Sequence, residues 1–80
     1  MSTRFPDVNS KQIIKIANKL GFAFARQCGT SHSIYYRESD NRRTTIPIHG
    51  KKSLKRKTVK SICMDLEITI DDLRRLLQEI

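Results

Sequence analysis

The sequence predicts a two-layer α+β fold, a three-stranded antiparallel sheet with helices on one face in the order α-β-β-β-α-α, the last helix being short. Three observations predict it. Ile13, Ile16, Ala17 and Leu20 recur at helical spacing near the N-terminus. Residues 22–48 then lose that period, become rich in aromatic and β-branched side chains, and are broken at Gly29-Thr30 and Asp40-Asn41. From Val59 onward the helical period returns in two stretches.

Asn9 followed by Gln12 has the form of a capping box, and Val8 before it can close on Ile13 as a hydrophobic staple. Lys11, Lys15 and Lys19 fall on the opposite side until Gly21 offers a stop, so the first helix is expected over 10–20. Phe22 to Cys28 alternates Phe22, Phe24 and Arg26 with Ala23, Ala25 and Gln27, which reads as a strand. His32 to Arg37 is the second strand and Arg43 to Ile48 the third, with Thr44, Ile46 and Ile48 on one side. Pro47 cannot donate to a ladder and is expected at an edge or a strand end. If Asp40 and Asn41 form a two-residue turn, Tyr35 lies across from Ile46 and His32 across from His49. That register sets Ser33, Tyr35, Ile46 and Ile48 on one face and His32 on the other; a loop one residue longer would exchange the faces. Val59, Ile62, Cys63 and Leu66 then mark a helix over 57–66. Thr69 with Asp72 caps a last short helix carrying Leu73, Leu76, Leu77 and Ile80.

Eighty residues make one domain, 1–80, with a modest core, since a chain of this length buries only about 60% of the surface it exposes when unfolded. No apolar run approaches a membrane span and the N-terminus lacks the apolar stretch of a secretory signal, so a cytoplasmic protein is expected. Cys28 and Cys63 are too few for a disulfide framework and form no zinc-binding cluster, so both are expected to be buried thiols. Without clustered carboxylates for magnesium either, no metal or cofactor is expected.

Sixteen Lys and Arg against eight Asp and Glu leave a formal net charge of +8. The excess is concentrated: Arg42, Arg43, Lys51, Lys52, Lys55, Arg56, Lys57 and Lys60 occupy 41–64 without an acid among them. A polyanionic partner is the natural reading, nucleic acid first. Double-stranded-RNA-binding domains share the order α-β-β-β-α and read A-form shape through phosphates and 2′-hydroxyls. Here Lys55, Arg56 and Lys57 open the second helix, where its dipole and free N–H groups also favour phosphate.

Binding alone does not account for Gly29-Thr30-Ser31-His32, a histidine beside a glycine turn at the head of a strand. RNA carries its own nucleophile, so cleavage without metal needs only groups to move protons and cations to hold the phosphorane. An imidazole serves in either proton transfer. A lone histidine on a strand is more often structural, and spacing by itself leaves both roles open.

The chain also resembles the HicA family of toxins in bacterial toxin-antitoxin pairs. The resemblance is carried by Lys19-Leu20-Gly21-Phe22, by Arg26-Gln27 leading to Gly29 and Ser31-His32, and by Asp40-Asn41-Arg42-Arg43. Ile46-Pro47-Ile48-His49-Gly50 and Leu54-Lys55-Arg56-Lys57-Thr58 complete it. It implies a fold similar to the double-stranded-RNA-binding domain, metal-independent cleavage of messenger RNA, and neutralisation by a HicB-type antitoxin. It also implies that His32, at the family's Gly-Ser-His position, is the catalytic histidine; His49 falls at a loop position that is often His in the family, without an assigned role, and Ser31 and His49 are kept as auxiliary candidates. Thr30 stands between Gly29 and Ser31 where many members have Gly-Ser directly, and Ser33 replaces a frequent second histidine.

The expectation is therefore a ribonuclease toxin in which His32 moves a proton and Lys51, Lys52, Lys55, Arg56, Lys57 and Lys60 hold the RNA backbone. A non-catalytic double-stranded-RNA-binding module would keep the basic segment and make His32 structural. A small interaction protein using its charge only to grip an acidic partner would show no RNA affinity.

Overall fold

A computed structural model describes residues 6–80, so the opening of the segment read for a secretory signal lies outside the described residues. The elements follow the expected order: α1 (Ser10–Lys19), β1 (Ala23–Cys28), β2 (His32–Arg37), β3 (Arg42–Pro47), α2 (Arg56–Leu66) and α3 (Ile70–Glu79). The strands form one antiparallel sheet in the order β1-β2-β3.

Helix α1 begins with the expected capping box: Asn9 Oδ1 accepts from the Gln12 N–H and Gln12 Oε1 from the Asn9 N–H, both at 2.9 Å. Its apolar side, Ile13, Ile16 and Ala17, is fully buried. The chain leaves through Gly21 at φ +95°, a conformation that strains any residue with a Cβ, and the Arg37 side chain lies 3.2 Å from where that Cβ would stand. Arg37 fastens this corner. It donates to the Leu20 carbonyl at 2.8 Å, forks onto Asp40 at 3.0 and 2.7 Å, and lies 4.6 Å over the Phe22 ring.

The hydrogen bonds of Arg37 to Asp40 bear on the register. Asp40 is drawn back to the end of β2, Asn41 takes a left-handed conformation at φ 56°, and the connection becomes the four residues Glu38–Asn41. The two-residue turn expected at Asp40-Asn41 is thus replaced. Tyr35 pairs with Thr44 instead of Ile46, and His32 with Pro47 instead of His49. The slip is by two residues, an even number, so the faces survive: Ser33, Tyr35, Thr44 and Ile46 are buried and His32 is exposed. Ile48 falls beyond β3 and is 37% exposed, although its N–H extends the ladder to the Ser31 carbonyl at 2.6 Å. Pro47 closes β3, which is a sheet edge, satisfying both positions open to proline.

Helices α1 and α2 pack on β3, and α3 packs on α1. One cluster of buried side chains from Val8 to Leu76 joins them. Helix α2 runs on its expected stripe, with Val59, Ile62, Cys63 and Leu66 buried, and its Asp65 accepts from the buried Thr44 hydroxyl at 2.9 Å. Helix α3 carries the expected Thr69–Asp72 capping box, with Leu73 and Leu76 buried and Ile80 39% exposed. Strand β1 lies on the edge away from α2, and all six of its residues are exposed, Phe24 by 56%. Cys28 is therefore an exposed thiol rather than the buried one expected, because it lies on the edge strand away from β3, on which α1 and α2 pack; Cys63 is buried. Among the described residues no helix is long and apolar enough to cross a membrane.

Candidate active site

His32 opens β2 directly after the turn made by Gly29, whose φ of +69° suits glycine. The turn is tied internally, since the Gln27 side chain donates to the Thr30 carbonyl at 3.2 Å. The Ser31 hydroxyl stands 3.5 Å from His32 Nδ1, at the limit of a hydrogen bond. In the β1–β2 register His32 faces the exposed Cys28.

Two hollows flank the exposed imidazole. One, of about 410 Å³, is lined by His32, Pro47, His49, Lys52, Ser53, Leu54, Lys55 and Thr58. The other, of about 330 Å³, is lined by His32, Thr45, Pro47, Lys57, Thr58, Ser61 and Ile62. His32, Pro47 and Thr58 belong to both, so the hollows form one groove running past His32 and the start of α2. Among the described residues no carboxylate lines either hollow, so no acidic side chain there competes with a ligand for the lysines.

The start of α2 departs from the rule the other two helices obey. α1 and α3 each carry a capping box, and α3 has Asp71 and Asp72 in its first turn. α2 has Lys55 at its N-cap with no side-chain cap, no acid in its first turn, and Arg56 and Lys57 as its first helical residues. Cations at the positive end of a helix dipole oppose helix stability by about 0.3–1 kcal/mol each. A cationic N-terminus without a side-chain cap instead presents the amide end of the helix and positive charge together, the arrangement that receives a phosphate.

The structure sorts the residues singled out in the sequence. His32, His49, Lys52 and Lys55 meet at the first hollow, and Lys57 borders the second. Lys51 does not join them; it borders a separate groove of about 530 Å³ with Lys11, Lys15, Ile14 and Ile48. Arg56 and Lys60 are exposed on α2 but line neither hollow. His32 and His49, not paired across the strands, are brought to one cavity by the loop after β3.

Two residues escaped the sequence reading. Thr58, at the third position of α2, borders both hollows; it stands where a capping box would place its second member, a position that could have drawn attention. Ser10 is buried on α1, and its hydroxyl donates to the Pro47 carbonyl at 2.6 Å while accepting from the His49 N–H at 3.0 Å. No local signal marks it, because its partners lie 37 and 39 residues away in the chain.

The family model for the HicA toxin of bacterial toxin-antitoxin systems matches residues 10–68, from the first residue of α1 to just past α2. The chain belongs to the HicA toxin family. No curated protein matches the chain. A HicA-family toxin has a cognate antitoxin, and the matched segment contains the groove, both histidines and every lysine named around them. Helix α3 lies outside the segment matched to HicA and adds a third helix against α1.

Proposed function

We propose that this HicA-family chain is one RNA-cleaving domain, a metal-independent endoribonuclease that cuts messenger RNA, arrests translation and is neutralised by a HicB-type antitoxin. The observation that carries the reading is the juxtaposition of an exposed imidazole with an uncapped, cationic helix N-terminus across one groove that, among the described residues, no carboxylate lines.

The chemistry follows from that juxtaposition. A backbone phosphate in the groove meets Lys52, Lys55 and Lys57 and the first amides of α2, which stabilise the charge that grows on its oxygens as a fifth bond forms. Arg56 and Lys60 extend the positive surface of α2 along the flanking backbone, whereas Lys51 borders the separate groove and is left out of the RNA contact. His32 moves a proton at the reacting centre. The 2′-hydroxyl attacks the adjacent phosphorus, the bond to the 5′-oxygen breaks, and the products are a 2′,3′-cyclic phosphate and a free 5′-hydroxyl. The Ser31 hydroxyl beside Nδ1 favours one orientation of the ring. Among the described residues no group of three or more His, Cys, Asp or Glu is placed to hold a metal ion.

The test is cleavage of RNA by the purified chain in excess chelator. Wild-type protein should cut, leaving cyclic or 3′-phosphate ends, while folded His32→Ala should lose at least about 100-fold in rate, the lower range for removing a proton-transfer group. Cleavage by His32→Ala at the wild-type rate would remove the histidine from the mechanism. Activity that vanishes in chelator and returns with magnesium would remove the metal-free reaction. RNA binding without any cleavage would leave a binding module.

A further inference from the structure

We propose that His49 is the second proton-transfer group of this site, the partner of His32 in a two-imidazole acid–base pair; the assignment rests on the cleavage reading above. In-line displacement needs a proton removed from the 2′-oxygen on one side of the phosphorus and a proton supplied to the 5′-oxygen on the other. Two groups on facing walls do this in one pass, and each alone is worth roughly 10²–10⁴-fold. Among the described residues the ionisable side chains around His32 are His49, Lys52 and Lys55 in the first hollow, Lys57 in the second, and Cys28 across the β1–β2 pairing. An imidazole alone among these can be acid or base near neutral pH as a matter of side-chain chemistry.

The placement of His49 has its own structural cause. Strand pairing does not deliver it, because β2 sets His32 against Pro47. The buried Ser10 does: its hydroxyl joins the Pro47 carbonyl to the His49 N–H at 2.6 and 3.0 Å, and the Lys52 N–H donates to the His49 carbonyl at 3.3 Å. The backbone of His49 is thus held on both sides while its ring stays exposed on the wall of the cavity. A buried helix-start serine spending both hydrogen-bonding capacities on the far end of β3 makes a fixed loop, and a fixed loop holds a reacting group in place at low entropic cost.

In the reaction one neutral imidazole takes the 2′-hydroxyl proton as the 2′-oxygen bonds to phosphorus. The other, as imidazolium, gives its proton to the 5′-oxygen as the phosphorus–oxygen bond breaks. The two rings end with exchanged protonation states, which solvent restores. Ser10 is a positioning residue and His49 a catalytic one.

The experiment uses the full chain and a short RNA oligonucleotide, with kcat and KM followed against pH. Wild-type kcat/KM should be bell-shaped, one limb from each imidazole. His49→Ala should lose about 10²-fold or more in kcat with KM nearly unchanged, drop one limb of the bell, and recover part of its rate in buffer containing imidazole. His49→Gln, which keeps hydrogen-bonding capacity, should behave the same way. Ser10→Ala should lower kcat less, keep both limbs and gain nothing from imidazole. A His49→Ala enzyme with the wild-type rate and both limbs overturns the assignment, as does one that is slow but retains both limbs and is deaf to imidazole. Either result leaves His32 in place. Undiminished cleavage by His32→Ala, or no cleavage by wild type, instead sinks the cleavage reading on which this one rests.

Discussion

Cys28 and Cys63 show how far two residues of one kind can diverge. Cys63 packs on the buried side of α2, where desolvation of the thiolate pushes the thiol up to about 11 from an ordinary 9.0. Cys28 is exposed on the sheet edge across from His32. Since the thiolate is the reactive form, a disulfide reagent at neutral pH should titrate one thiol quickly in the folded protein and two in denaturant. Rapid reaction of both in the native state would place Cys63 outside the core. The raised value also sets a stability limit. Below about pH 9 both folded and unfolded Cys63 are neutral and its contribution is intact; between 9 and 11 the unfolded chain ionises first and stability falls. Cys63→Val should flatten that alkaline fall when urea melts at neutral and high pH are compared with wild type.

Among the elements, α2 is the one whose first turn works against its own stability. Replacing Lys55 by Asp would give the N-cap an acceptor for the first-turn amides and remove an unfavourable charge, together worth about 1 kcal/mol. For a chain of this length that raises Tm by roughly 4–8 °C. The same change places a carboxylate on the wall of the His32 hollow and should weaken RNA binding. Thermal melts and fluorescence anisotropy in a His32→Ala background check the two effects together. Higher stability with unaltered RNA affinity would move the phosphate site away from the start of α2.

The whole molecule carries a formal charge of +8, and six of its lysines border two separate grooves, Lys52, Lys55 and Lys57 beside His32 and Lys11, Lys15 and Lys51 elsewhere. RNA binding should weaken steeply with salt through counterion release. Replacing Lys52, Lys55 and Lys57 together by Ala should flatten the logarithmic salt dependence by roughly 2–3 units. Replacing Lys11, Lys15 and Lys51, which border the other groove, removes the same charge and should change it by less than about one unit. Equal effects from the two triple variants would show that net charge alone governs binding.

How much of this was legible depended on the range of the interactions. The sequence by itself determined the element order, the two capping boxes, the apolar stripe of α2, Pro47 at an edge and the inward face of the sheet, because each follows from propensity and period over a few residues. His32 and the basic start of α2 stood out for the same local reason. Tertiary structure decided the rest. The β2–β3 register turned on Arg37 reaching both Asp40 and the end of α1, a choice no turn propensity contains. The exposure of Cys28 depended on which strand α1 and α2 pack on, and the separation of Lys51 from Lys52 on how one loop passes between two grooves. The meeting of His49 with His32 rests on Ser10, whose hydrogen bonds form only once α1 lies against the end of β3.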